Sequence, residues 1–148
     1  MALKVELKPG ERIIIGESLI KNDNQRCRLF IEGNAPILRE KDIMTAESAT
    51  TPAKRIYLAV QLMYLSKDIN KIKDNYFNLV NDIIMAAPST TPFITRISNQ
   101  ILSNSFYKAL KETKKLIEYE KALFDNVQQS GGPSIPESES GNSKPQGA

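Results

Sequence analysis

A chain of 148 residues, 41% hydrophobic and 25% charged, has the composition of an ordinary globular protein, with room for one domain or two small ones sharing a core. It contains no histidine and a single cysteine, Cys27, which excludes a Cys/His zinc site within the chain, an intrachain disulfide and every histidine-dependent triad. The formal net charge of +3 is too small to carry nucleic-acid binding by bulk attraction, so any such site has to be a local patch.

The opening "MALKVELKPG" carries the acidic Glu6 and no long apolar core, unlike a secretory signal. No run approaches the roughly 18 apolar residues of a membrane span. With one lone cysteine suited to a reducing compartment, the expectation is a cytoplasmic protein. Cys27 lies between Arg26 and Arg28, which favour a thiolate, but its alternating surroundings fit a plain strand cysteine.

Residues 1–45 read as β-structure. In "LKVEL", Leu3, Val5 and Leu7 alternate with Lys4 and Glu6, the period of a half-buried strand. Pro9-Gly10 punctuates it, "RIII" makes a short apolar strand ending at Gly16, and "SLI" runs into the polar loop "KNDNQ". "RCRLFIE" alternates again, with Cys27, Leu29 and Ile31 on one side and Arg26, Arg28 and Phe30 on the other. Gly33-Asn34 and Pro36 turn the chain into "ILRE". The expectation is one small twisted antiparallel sheet, which is marginal alone and wants a second layer or a second copy of itself.

From Thr51 the period becomes 3.6. In "TTPAKRIYLAVQLMYLS", Thr51 is the candidate N-cap and Pro52 the first helical residue. Between Ile56 and Leu65 only Gln61 is strongly polar. A helix apolar almost all round is buried on several sides, by the sheet and later helices or by a partner chain. "KDINKIKDNYFNLVNDIIMAAP" follows, with Ile69, Ile72, Tyr76, Leu79 and Ile83 in one stripe and Lys71, Asn78 and Asp82 opposite. "TTPFITRISNQILSN" repeats the Thr-Thr-Pro opening and carries Ile94, Ile97 and Ile101. In the last helix, to Val127, Phe106, Leu110, Ile117 and Phe124 are expected to face inward. The expected architecture is thus α+β, with a β-rich region over 1–45 and a bundle of about four helices over 46–127. The stretch 128–148, rich in Gly, Pro and Ser, reads as a disordered tail.

No catalytic signature stands out. "PGERIIIG" is neither a phosphate loop nor followed by a helix. Glu118 and Glu120, two apart on a helix, do not face each other. With no convergent acid–base set, the expectation is a non-enzyme without catalytic residues, metal or cofactor. Lys108, Lys111 and Lys115 share a face of the last helix. They read as a solvated face balanced by Glu112 and Glu118, or as an auxiliary phosphate contact.

The β region carries a sharper pattern. Gly10-Glu11, Ile15-Gly16-Glu17, Asn34-Ala35-Pro36 and Arg39-Glu40-Lys41-Asp42-Ile43 keep the order and approximate spacing of the carbon-storage-type RNA-binding regulators, which this region resembles. That resemblance implies that Arg39 in the last strand and Lys8 in the first grip an unpaired RNA loop; Leu7 stands where those proteins have a second basic residue. Over a longer span, "LKPGERIIIG", "LREKDIMTAESATTPAKRIYLAVQLMY" and "YKALKETKKLIEYE" resemble the FlbT family of flagellin post-transcriptional regulators of α-proteobacteria, from about Leu3 to Leu123. This implies binding to the 5′ untranslated leader of flagellin mRNA, control of its translation and stability, and a working relationship with the companion regulator FlaF.

The candidate site is a strand surface of Lys8, Arg12, Arg26, Arg28 and Arg39. Lys8 and Arg39 come from the resemblance; the other three are included because short strands bring basic residues close together. Each arginine has a plainer reading, as a solubilising charge or an ion pair with Glu6, Glu32 or Glu40. Two functional expectations follow. One is an RNA-binding regulator, for which an arginine offers phosphate or guanine a planar fork. The other is a protein–protein adaptor in flagellum assembly, in which the apolar helix Ile56–Leu65 and its flanks bind a companion flagellar regulator without direct RNA contact. A small open sheet beside that helix also points to a homodimer.

Overall fold

The computed structural model describes residues 2–66 and 68–129. The fold is α+β: antiparallel strands β1 (Ala2–Leu7), β2 (Arg12–Ile15), β3 (Ser18–Lys21), β4 (Cys27–Glu32) and β5 (Ile37–Arg39) precede helices α1 (Pro52–Leu65), α2 (Asn70–Ala86), α3 (Thr91–Leu102) and α4 (Phe106–Gln129). α4 therefore runs two residues past Val127; the tail expected over 128–148 lies, from Ser130 onward, outside the described residues.

The strands form two small sheets instead of one. β1 pairs with β4, and β2 lies between β3 and β5. The chain turns away after β1 through Lys8–Glu11, with Gly10 at φ 75° and Glu11 N–H on Lys8 C=O, so β2 does not pair with β1. It folds back on β3 across Gly16-Glu17 instead. Gly16 has φ 62°, a backbone region costly for any side chain with a Cβ.

Strand alternation in β2 and β5 then divides two cores. Ile13 is buried with Val5 and Leu7 of β1, and Ile15, Leu29, Ile31 and Ile37 pack around them. Ile14 and Leu38, partners in register, point the other way into the helical core. Successive side chains of a strand leave opposite faces, so the unbroken apolar runs "III" and "IL" are what a strand pair buried on both faces requires.

α1 is the hub. Thr51 accepts a hydrogen bond from Lys54 N–H (3.2 Å), the expected N-cap. Glu120 of α4 accepts from Ala53 N–H (2.9 Å), placing a carboxylate at the positive end of the helix. Ile56, Ala59, Val60 and Met63 are buried against residues of the other helices and Leu38, so the apolar helix is covered by its own chain. The second Thr-Thr-Pro also opens a helix, but Thr90 and Thr91 donate back to Ala87 and Pro88 carbonyls (both 2.7 Å) instead of capping.

Ile94, Ile97 and Ile101 of α3 are buried as expected, as are Tyr76 and Ile83 of α2 with Val80 added. α4 buries Leu110 as expected and half-buries Phe106 and Ile117 against the same core, but its most buried line lies to one side of that stripe. Its buried line is Ala109, Thr113, Leu116 and Glu120 beside Leu110, while Phe124 is 51% exposed. Two of those inward residues are polar and one is alanine, so a count of large apolar side chains finds only one side of the face.

Candidate functional site

The segment Ile37–Met44 is held on α1 by a row of polar side chains spaced along one helix face. Tyr64 hydroxyl accepts from Ile37 N–H (3.2 Å) and donates to its C=O (3.1 Å). Gln61 amide accepts from Met44 N–H (2.7 Å) and donates to its C=O (3.0 Å), and Tyr57 hydroxyl donates to Asp42 C=O (2.6 Å). Tyr64 thus satisfies the edge of β5 that β2 leaves unpaired, and Tyr57 and Gln61 satisfy backbone groups of the segment that follows, where a buried amide without a partner is costly. Lys114 of α4 adds an ion pair to the buried Asp42 carboxylate. Burial, followed by the charge of Asp42, pushes the Tyr57 phenol far above its ordinary range.

On this clamped segment Arg39 lies opposite Ile13 in register. Its guanidinium leaves on the side facing β1, where Nη2 donates to Glu6 C=O (3.1 Å). Among the described residues no carboxylate lies within ion-pairing distance of it. Lys8, at the end of β1, is placed by its backbone: its N–H donates to Glu11 Oε1 (2.8 Å), and its C=O accepts from the Asn22 side-chain amide (2.8 Å). Asn22 also reaches Gln25 C=O (2.8 Å), which ties the Lys8 turn to the chain leading into β4.

The result is an open groove of about 640 Å³ between the two sheets, lined by Lys8, Arg26, Arg39 and Lys41 among others. Glu6, Glu11 and Glu40 line it too. Glu6 is engaged by Arg26 (3.6 Å) and Arg28 (3.5 Å), and Glu40 by Arg12, whose backbone N–H (2.9 Å) and Nε (3.2 Å) both donate to Oε1. The Arg12 backbone bond, then the Arg12 side chain, hold the Glu40 carboxyl below its ordinary range. With two of the acids occupied in this way, Lys8, Arg39 and Lys41 remain as the groove's unpaired cations among the described residues.

Three of the five residues singled out in the sequence thus converge: Lys8, Arg26 and Arg39. Arg12 and Arg28 do not line the groove. Arg28 sits on the outer face of the β1–β4 pair, opposite Glu6, and Arg12 is held by Glu40. For these two, and for Arg26 through Glu6, the ion-pair reading describes the geometry. Lys41 was missed although it stands beside Arg39 in the resembling segment, and Asn22 looked like ordinary loop polarity. Cys27 donates to Asn22 Oδ1 (3.3 Å) as a half-buried strand residue.

On α4, Lys115 pairs with Glu112 (3.5 Å), which also meets Arg96 (3.6 Å), while the Lys111 ammonium lies over the Tyr107 ring, 5.1 Å from its centre. Among the described residues no group of three or more Cys, Asp or Glu side chains converges as a metal site, and no helix is long and apolar enough to cross a membrane.

Residues 3–124 match the family described as "Flagellar protein FlbT". The chain is 60% identical over 124 residues to "Probable flagellum biosynthesis repressor protein FlbT 1" of Bradyrhizobium diazoefficiens, covering 83% of this chain and 85% of that protein. It is 54% identical over 123 residues to a similarly named protein of Rhodopseudomonas palustris (83% and 98% covered). It is 36% identical over 130 residues to "Flagellum biosynthesis repressor protein FlbT" of Caulobacter vibrioides (86% and 92% covered). No solved structure matches this chain.

Proposed function

This chain belongs to the FlbT family of flagellar proteins, and from that premise we propose that it is a non-enzymatic, RNA-binding repressor of flagellin synthesis, which grips the 5′ untranslated leader of flagellin mRNA and so controls its translation and stability. The observation that carries the reading is the groove between the sheets: Lys8, Arg39 and Lys41 meet there without carboxylate partners among the described residues. An arginine held by one backbone carbonyl keeps most of its five donors for a ligand. A planar fork flanked by two ammonium groups suits a phosphate or guanine edge on a single strand. FlaF is the proposed companion protein.

The adaptor reading is supported less by the helix itself, since α1 is largely buried within the chain with Leu62 as its exposed large apolar residue, which leaves that reading the flanks. Titration of the purified protein with a flagellin leader transcript at two salt concentrations tests direct contact. Affinity should fall steeply with salt, about one power of concentration for each phosphate neutralised. Absence of leader binding at low salt would remove the reading.

A further inference from the structure

Three openings on the surface run into one another. The groove described above shares Arg39 and Lys41 with a second cavity of about 430 Å³, lined by Tyr64 and Tyr107. That cavity shares both rings with a third of about 560 Å³, where Asn104 and Lys108 add polar groups. Along this track the chemistry goes from cations to aromatic rings and back to cations. Its carboxylate within the second cavity, Asp42, is already paired with Lys114, and the third cavity has none.

Tyr107 stands in the first turn of α4 and is 43% exposed. Tyr64, itself fixed by its two bonds to Ile37, supports it from the side, with ring centres 5.8 Å apart. The Lys111 ammonium occupies the space over the Tyr107 ring, one helical turn further on. It stands at the end of a flexible stem, so an arriving base can displace it from the ring and leave it beside the base's phosphate.

We infer that the RNA track continues from the groove between the sheets onto α4, with Tyr107 as a stacking platform for one unpaired base and Lys41, Lys108 and Lys111 as contacts for the flanking phosphates. The inference rests on the RNA-binding reading of the first groove and extends it to the helical half. Aromatic faces interleaved with cations hold single strands, because every base has a face to stack, whereas a duplex keeps its base faces occupied.

The test uses the full chain, a labelled flagellin leader transcript and polyphosphate as an anion without bases. Tyr107→Ala should weaken leader binding about tenfold while Tyr107→Phe stays within about twofold of the parent. Lys108→Ala and Lys111→Ala should each lower the slope of log affinity against log salt by about one. Polyphosphate affinity should not respond to Tyr107→Ala. Because that variant also loses the Tyr64 contact, the Lys108→Ala/Lys111→Ala double variant, at exposed positions, supplies an arm that leaves the Tyr64–Tyr107 contact in place. If Arg39→Ala weakens leader binding while Tyr107→Ala and the double variant bind like the parent, the extension onto α4 is overturned and the first groove stands. If the parent protein binds no leader at low salt, both fall together.

Discussion

Arg39 concentrates the functional argument at the scale of single residues. Its neighbours in sequence are consumed by structure: Ile37 and Leu38 enter the two cores, and Glu40 holds Arg12. The guanidinium that remains is the group expected to meet RNA. Arg39→Ala should weaken leader binding by about 1–3 kcal/mol with an unchanged melting temperature, and Arg39→Lys should recover only part, since an ammonium keeps charge but lacks the fork. Filter binding of the two variants beside the parent checks this; parental affinity in Arg39→Ala would remove the residue from the site. Glu40 gives the opposite sign. Glu40→Gln removes a negative charge from the groove while keeping an acceptor for Arg12 N–H, so leader affinity should rise, most visibly at low salt. Unchanged or weaker binding would show that the Arg12–Glu40 pair lies outside the track.

At the scale of elements, the informative feature is the row Tyr57, Gln61 and Tyr64 on α1. A three-residue strand has too few ladder bonds to hold itself, and one helix face anchors it at both ends: Tyr64 bonds Ile37 at its start, and Tyr57 and Gln61 bond Asp42 and Met44 just beyond it. Gln61→Leu preserves size but leaves the Met44 N–H and C=O without those partners. It should cost about 1–3 kcal/mol in denaturant unfolding, and because β5 carries Arg39 it should also weaken leader binding. Tyr64→Phe, which removes only the hydroxyl that bridges Ile37, should act in the same direction. Parental stability in both variants would mean that water or a relaxed backbone replaces the lost bonds.

At the scale of the whole molecule, three tyrosines couple folding to alkaline pH. Burial raises the phenol pKa of Tyr57, Tyr64 and Tyr76 in the folded chain. Their contribution is fully present below the unfolded value of about 10 and is lost as pH rises through the folded values, since the unfolded chain ionises first. Melting temperature should therefore drop above that pH, together with a late, cooperative rise in phenolate absorbance; a gradual rise without unfolding would contradict it. Self-association is the other expectation at this scale. Its support moves from α1, now covered, to the strands, where Phe30 is 67% and Leu19 is 59% exposed and β3 is an open edge. Light scattering at micromolar concentration should return a dimer mass that Phe30→Lys or Leu19→Lys reduces; a monomer mass for the parent would exclude it.

Local pattern settled much of this protein by itself. Alternation located β1 and β4 and most of their inner faces, Leu3 at 48% exposure excepted, because a strand buried on one side writes a period of two into its own sequence. Thr51-Pro52 marked the start of α1, since a cap is a contact between residues three apart. The longer blocks between Leu3 and Leu123 carried the family resemblance, which the match over residues 3–124 bears out. What required the tertiary structure were contacts between residues far apart in the chain. The split into two sheets depends on where β5 returns, and the inward placing of Glu120 on α4 depends on its reaching the Ala53 amide of α1. The division of the arginines into paired and unpaired turned on which strands became neighbours. A guanidinium reads the same in a sequence whether or not a carboxylate stands opposite, and only β pairing brought Glu6 to Arg28 while leaving Arg39 a backbone carbonyl.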